Sequence, residues 1–212
     1  MTCLSHVGST TKVLAFGAHP DDLEVGAGGL LARLAQQGAH VIAAVVSVPS
    51  MLAERVKEAS AGAGILGVKL AILNYEKKCR VEDIPMHAIV AQMDTLVNDI
   101  RPDLVITHSA NDLHWDHGLV NRATVSAVRR WPCNLLAYVS SYEMNAQVSS
   151  RSMGQCFADV TTTIDRKVDA IAAHQSQLRN IDLESTRDLA RAMGRLAGVE
   201  YAEAYEVLRL RF

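Results

Sequence analysis

Several things are scarce in this chain of 212 residues, and each shortage excludes something. The four cysteines, Cys3, Cys79, Cys133 and Cys156, stand far apart with no CxxC pair. They read as isolated, reduced thiols, which excludes a disulfide framework and a thiolate zinc site. Aromatic residues make up only 5%, so aliphatic side chains must fill the core. Neither sign of charge dominates: the net charge is −2 with histidine neutral. That argues against binding nucleic acid or an anionic membrane through a basic face. No apolar run reaches the ~18 residues of a transmembrane helix. The opening stretch, residues 1–12, lacks the charged-then-apolar layout of a secretory signal, so the expected location is the cytoplasm.

What is present is enough for a globular core. Hydrophobic residues are 49% of the chain, and a chain of this size removes roughly 70% of its unfolded surface from water, without disulfide staples. Val13–Gly17 reads as a strand, 25–37 as a helix stopped by Gly38, and His40–Val48 as a second, buried strand. Strand, helix and strand in about 36 residues make a βαβ unit with parallel pairing and a right-handed crossover. The alternation continues with a helix over Ala53–Leu66 ending at Gly67, a strand over Lys69–Leu73, a helix over Ile84–Ile100 and a strand over Leu104–Thr107. Gly118–Arg130 returns to helix. Strands follow near Leu135–Ser140 and Cys156–Val160, then helices near Arg166–Leu178 and Thr186–Leu196. Tyr205–Leu210 alternates like an edge strand. No linker, repeat or low-complexity segment divides residues 1–212, so one domain is expected. The expected fold class is α/β: a doubly wound, mostly parallel, Rossmann-like sheet with an antiparallel C-terminal edge.

Histidine is the residue in excess. Three of the eight fall within His108–His117, together with Asp112 and Asp116. A second polar segment, His19-Pro20-Asp21-Asp22, also follows directly after an expected strand. In doubly wound folds the ligand crevice lies beyond the carboxyl ends of the strands, so the two segments can meet there. Adjacent carboxylates repel unless a cation or hydrogen bonds offset them. Imidazole and carboxylate are the usual ligands of Zn²⁺ and related ions. His19, Asp22 and His117 make a three-ligand set with one coordination position open, the arrangement of a catalytic site. Asp21 is left as a general base for water, and the Asp116–His114 pair as an acid or charge stabiliser. The Gly26-Ala27-Gly28-Gly29 run falls within the helical pattern and fits close helix–sheet packing better than a phosphate cradle.

Ala18-His-Pro-Asp-Asp-Leu-Glu24, continuing into the glycines to Gly29, resembles the signature of the LmbE/PIG-L family of zinc-dependent N-acetylglucosaminyl deacetylases. Arg55-x-x-Glu58 with Leu66-Gly67-Val68 is similar to that family's second block, and Asp112-x-His114-x-Asp116-His117 to its third. Lys167, Ala170 and His174-Gln-Ser-Gln177 resemble its C-terminal helix, and Ala202–Tyr205 its closing strand. The resemblance implies His19, Asp22 and His117 as metal ligands and Asp21 as general base. It implies His114, oriented by Asp116, as the group that supports the oxyanion or the leaving amine. It also implies Arg55 as a substrate contact. Where relatives often carry an aspartate for a sugar hydroxyl, this chain has Leu73-Asn74-Tyr75, which makes Asn74 the candidate contact. Trp115 replaces a frequent proline and either stacks on a sugar or packs beneath the loop.

The expected activity is metal-dependent hydrolysis of the N-acetyl amide of an amino sugar, through a metal-activated water with Asp21 as base. The cofactor is Zn²⁺, with Fe²⁺ also suited to a His₂Asp set. The partner is a small N-acetylated sugar, with no nucleic acid and no membrane; homo-oligomer formation stays open. Two other readings share the scaffold: an amidase on a thiol–sugar conjugate of the mycothiol or bacillithiol type, and a non-catalytic metal- or sugar-binding protein. A free base at Asp21 counts against the last, because binding alone does not need it.

Overall fold

The computed structural model describes residues 8–139 and 154–211; Cys3, His6 and the end of the expected strand at Ser140 lie outside the described residues. The elements are β1 (Lys12–Gly17), α1 (Asp22–Gln36), β2 (His40–Ser47), α2 (Leu52–Leu66), β3 (Lys69–Asn74), α3 (Met86–Ile100) and β4 (Leu104–His108). They continue with α4 (Trp115–Ala127), β5 (Asn134–Tyr138), β6 (Cys156–Asp159), α5 (Ile164–Ala172), α6 (Leu183–Ala197) and β7 (Ala202–Arg209). The strands form one sheet in the order β3-β2-β1-β4-β5-β7-β6. The first five are parallel, and β7 pairs antiparallel with both β5 and β6.

This is the doubly wound sheet with an antiparallel C-terminal edge that the alternation predicts. Within that edge the strand positions differ from expectation. β7 lies inside, between β5 and β6, and the shorter β6 is the outermost strand.

Successive residues of β1 point to opposite faces, as the pleat requires. Val13 and Ala15 pack with Leu23, Ala27, Leu30, Leu31 and Leu34 of α1. Leu14 and Phe16 pack with Ile89, Met93 and Val97 of α3 and with Val120 and Ala123 of α4. Two aliphatic cores therefore sandwich the sheet, and α1 also packs on α2 and α5.

α1 sits unusually close to the sheet. A Cβ on Gly26 would overlap the Tyr138 ring, so that position excludes any larger residue. The glycine run therefore serves packing. Glu203 of β7 reaches into α1 and accepts the backbone N–H groups of Gly29 and Leu30, both at 2.8 Å. The same carboxylate accepts Lys167 Nζ at 2.6 Å and the Tyr205 hydroxyl at 2.8 Å. Four donors thus satisfy a buried negative charge, and the cluster clamps the middle of α1. Glu203→Ala leaves Lys167 buried without its partner and is expected to cost about 3–5 kcal/mol, read from urea unfolding. A loss below about 1 kcal/mol would show that the clamp does not hold α1.

Candidate active site and metal centre

The sheet reverses direction of winding between β1 and β4, so the chain leaves their carboxyl ends on diverging paths. A crevice opens there. After β1 the chain turns through Pro20, and Asp22 Oδ2 closes the turn by accepting the His19 N–H at 2.7 Å. Asp21, the residue before α1, has φ of 99°, a left-handed backbone that a residue with a Cβ adopts only under constraint. Asp21 and Asp22 both lie at the helix N-terminus, whose dipole favours negative charge.

After β4, the loop ends at His114, which caps α4: its Nδ1 accepts the Asp116 N–H at 3.2 Å. The helix begins at Trp115, three residues earlier than the periodicity suggests, so Asp116 and His117 lie on its first turn. Asp112 Oδ1 accepts the His114 N–H at 2.9 Å and its Oδ2 pairs with His117 Nδ1 at 2.7 Å.

The two segments interlock. Asp116 Oδ2 pairs with His19 Nε2 at 3.0 Å and accepts the Val81 N–H at 3.1 Å, while its Oδ1 accepts the Glu82 N–H at 3.2 Å. Asp116 therefore orients the ring of His19, and touches His114 only through its backbone. The expected Asp116–His114 side-chain pair does not form, because the Asp116 carboxylate is engaged by His19 and the N–H groups of Val81 and Glu82, and His114 Nδ1 accepts the Asp116 N–H. Asp112, quoted in the sequence block but given no role, is the carboxylate that fixes His117. Each ring is held by one nitrogen, and the other nitrogen faces Asp22: His19 Nδ1 at 3.6 Å and His117 Nε2 at 3.2 Å.

Ring nitrogens of His19, His114 and His117 lie within 4.8 Å of one another, as do donor atoms of Asp22, His108 and His117. The cluster could hold a metal ion, and its nitrogen-and-oxygen donors suit a borderline divalent cation. His108 differs from the rest. It is fully buried, and its Nε2 lies 2.9 Å from the Ala18 N–H that donates to it, so that lone pair is taken. Burial and the neighbouring His117 push its pKa down to about 4. Burial also disfavours a charged His117, but Asp22 and Asp112 outweigh it and raise its pKa to about 10. For Asp22, burial raises the pKa, yet His117 and His108 hold it well below the usual carboxylate range. Burial and then Asp22 push Asp21 up to about 8, with Arg55 and His174 acting against them. Burial, then His117 and His19, hold His114 below the usual imidazole range, so it stays neutral.

Arg55, on α2, is buried; its Nη2 donates to the Pro20 carbonyl at 2.7 Å and to Asp21 Oδ1 at 3.2 Å. Its neighbour Glu58 pairs elsewhere, accepting the Ser176 N–H at 2.7 Å and hydroxyl at 2.6 Å. Behind Asp21, fully buried His174 lies 3.4 Å from Glu24 Oε1. A cavity of about 560 Å³ joins His19, Asp21, Asp22, Arg55, His114, Asp116 and His117. Asn74 and Trp115 are not on its wall. Asn74 Nδ2 donates to the Val46 carbonyl at 2.9 Å and to Gln92 at 3.1 Å, beside a separate hollow. Trp115 is 62% exposed, so it is not packed beneath the loop either. Cys79 has the basic neighbour Lys77, but burial outweighs it and raises the thiol pKa. Cys79 and Cys133 are free.

Fold and site together define a doubly wound α/β protein whose His/Asp centre could hold a divalent metal at the sheet's switch point. The chain belongs to the PIG-L family, described as GlcNAc-PI de-N-acetylase, whose profile matches residues 14–128. It is 34% identical over 145 residues to the uncharacterized deacetylase YaiS of Escherichia coli strain K12, covering 64% of this chain and 77% of that protein. Among solved structures, the 4-carboxy-2-hydroxymuconate hydratase GalB of Pseudomonas putida KT2440 aligns with TM-score 0.76 at 20% identity, over 96% of this chain and 98% of that one. The N,N'-diacetylchitobiose deacetylase of Pyrococcus horikoshii aligns with TM-score 0.72 at 22% identity, over 93% and 84%. At these identities the structural likenesses establish the fold alone. No helix among the described residues is long and apolar enough to cross a membrane.

Removing Asp112 tests whether it fixes the His117 ring. Asp112→Ala is expected to weaken Zn²⁺ binding by ~10–100-fold, measured by competition with a chromophoric chelator. Metal and proton compete for His117, whose pKa is raised, so wild-type affinity should also fall as the pH is lowered. Unchanged affinity in the variant would remove Asp112 from the site.

Proposed function

We propose that this protein is a metal-dependent de-N-acetylase that hydrolyses the N-acetyl amide of an amino sugar. One observation carries the reading. His19 Nδ1 and His117 Nε2 lie 3.6 and 3.2 Å from the Asp22 carboxylate, with a second carboxylate, Asp21, in the same cavity and the neutral imidazole of His114 within 4.8 Å of the His19 and His117 ring nitrogens. His19, Asp22 and His117 would hold the metal, zinc being the first choice and Fe²⁺ also compatible with the donors. A cation held there supplies Lewis acidity, which lowers the pKa of water, polarises the amide carbonyl and adds positive charge beside Asp21.

The protein's own groups do the rest. Asp21, which lines the cavity, takes a proton from the attacking water, and Arg55 holds its Oδ1. His114 accepts the Asp116 N–H through Nδ1, so its neutral ring carries the proton on Nε2. That N–H supports the negative charge that develops on the carbonyl oxygen as water adds to the carbon. The proton gained by Asp21 then balances the departing amine, leaving acetate and a free amino sugar. A hydratase shares the fold, so the fold alone does not decide the reaction. Family membership and a base poised beside the metal donors favour amide hydrolysis, and the same base speaks against a purely binding role.

Asp21→Asn is the discriminating variant, because asparagine tolerates a positive φ and the backbone need not move. Acetate release from N-acetylated sugars should fall by about 10²–10⁴ while bound metal per chain is unchanged. Full turnover in Asp21→Asn would overturn the assignment of the base.

A further inference from the structure

Asp116 orients His19, and its own carboxylate is oriented from outside both polar segments. A 3₁₀ turn, Val81–Asp83, lies between β3 and α3. The first N–H groups of a helical turn have no partner within it. Here two successive ones meet the two carboxylate oxygens separately, Val81 N–H on Oδ2 at 3.1 Å and Glu82 N–H on Oδ1 at 3.2 Å. Such a fork fixes the plane of the carboxylate as well as its place. With His19 Nε2 on Oδ2 at 3.0 Å, three donors hold a buried carboxylate.

The turn is itself held at three points. Before it, the Cys79 N–H donates to the Val48 carbonyl at 3.1 Å, just beyond β2. Beneath it, the fully buried Val81 side chain packs with Ile89 and Met93 of α3 and Val120 of α4. On its solvent side, Asp83 Oδ2 accepts the Arg80 N–H at 3.2 Å, and the Asp83 carboxylate pairs with the Arg80 guanidinium at 3.3 Å. None of the residues 79–83 belongs to the motif blocks that carry the family resemblance. The segment also separates two hollows. Arg80 lines the cavity of the metal centre, whereas Cys79 and Asp83 line the hollow beside Asn74.

We infer that the Val81–Asp83 turn is a positioning element of the metal centre: its paired N–H groups set Asp116, which sets the His19 ring for the ion. The inference rests on the metal reading of the site. Residue 81 allows one N–H to be removed alone. Arg80 is extended, with φ of −86° and ψ of 159°, the backbone that a residue before proline favours, and proline is tolerated at the first position of a helical turn. Val81→Pro therefore deletes a donor to Asp116. Val81→Ala truncates the same side chain but keeps the N–H, and so reports the loss of packing by itself. Zinc affinities of the full chain and both variants are measured by competition with a chromophoric chelator. Val81→Pro should bind Zn²⁺ about tenfold more weakly than Val81→Ala, as when a metal-ligating imidazole loses its outer support. Equal affinities in the two variants would overturn the inference while leaving the metal reading intact.

If Val81→Pro does not fold, Asp83 decides, because its side chain is 49% exposed and its loss leaves the core intact. Asp83→Ala, unable to accept the Arg80 N–H, should weaken zinc binding about threefold, and Asp83→Asn, which still accepts it, should restore the affinity. Wild-type affinity in Asp83→Ala would then refute the positioning role. If the wild-type chain takes up no zinc, the metal reading fails, and the metal-free protein still tests the turn. Nitrogen NMR of the imidazoles, recorded where they are neutral, reports which ring nitrogen of His19 carries the proton. The Nε2–H form, which the Asp116 carboxylate selects, should predominate in Val81→Ala and lose that predominance in Val81→Pro. The same form predominating in both variants would show that the turn does not position His19.

Discussion

The arrangement depends on how the chain stabilises the carboxylate of Asp22 in a nearly closed crevice. A buried carboxylate is costly unless it is paired and hydrogen-bonded. Here one oxygen accepts the His19 N–H and the other faces a raised-pKa His117. The rings that surround Asp22 are not free to turn away from it. Asp116 holds His19 and Asp112 holds His117, each by the nitrogen remote from Asp22. The result is a set of three donors whose directions are fixed by two outer carboxylates, an arrangement that suits the proposed metal site. Asp21 then sits where burial and Asp22 both oppose its charge, and a strained backbone keeps it there.

That constraint reaches into the fold. Asp21 and Asp22 are placed by the start of α1, which lies too close to the sheet for any side chain at position 26. Glu203 and Lys167, from β7 and α5, fasten the middle of the same helix. On the other side, Asp116 joins the first turn of α4 to the turn after β3 through the N–H groups of Val81 and Glu82. Strand ends, helix starts and an intervening loop therefore meet at one small polar centre, which the doubly wound order leaves open between β1 and β4.

Much of this is legible in the sequence because its signals are local. The βαβ pattern follows from apolar periodicity and from Gly38 and Gly67, whose φ values of 88° and 77° suit helix ends. His19, Asp22 and His117 stand out because metal-ligating residue types follow directly after expected strands. What sequence reasoning misses depends on partners far away in the chain. The pairing of Asp116 with His19 spans 97 positions, and no spacing rule within one block contains it. Asp112 is readable in retrospect as a residue that closes the loop before a helix cap, but its second oxygen is set by the turn of α4. Asn74 sits outside the cavity because Val46 and Gln92 satisfy its amide. β7 pairs with β5 on one side and β6 on the other, and alternation alone does not specify that.

The central claim is that Asp22, with His19 and His117 turned toward it by two outer carboxylates, forms the metal centre. Anomalous diffraction from crystals of the zinc-loaded protein tests it directly. The account predicts one metal ion held by His19 Nδ1, His117 Nε2 and Asp22, with His19 Nε2 still on Asp116 and His108 unbound. A metal ligated by His108, or by His19 through Nε2, would contradict it.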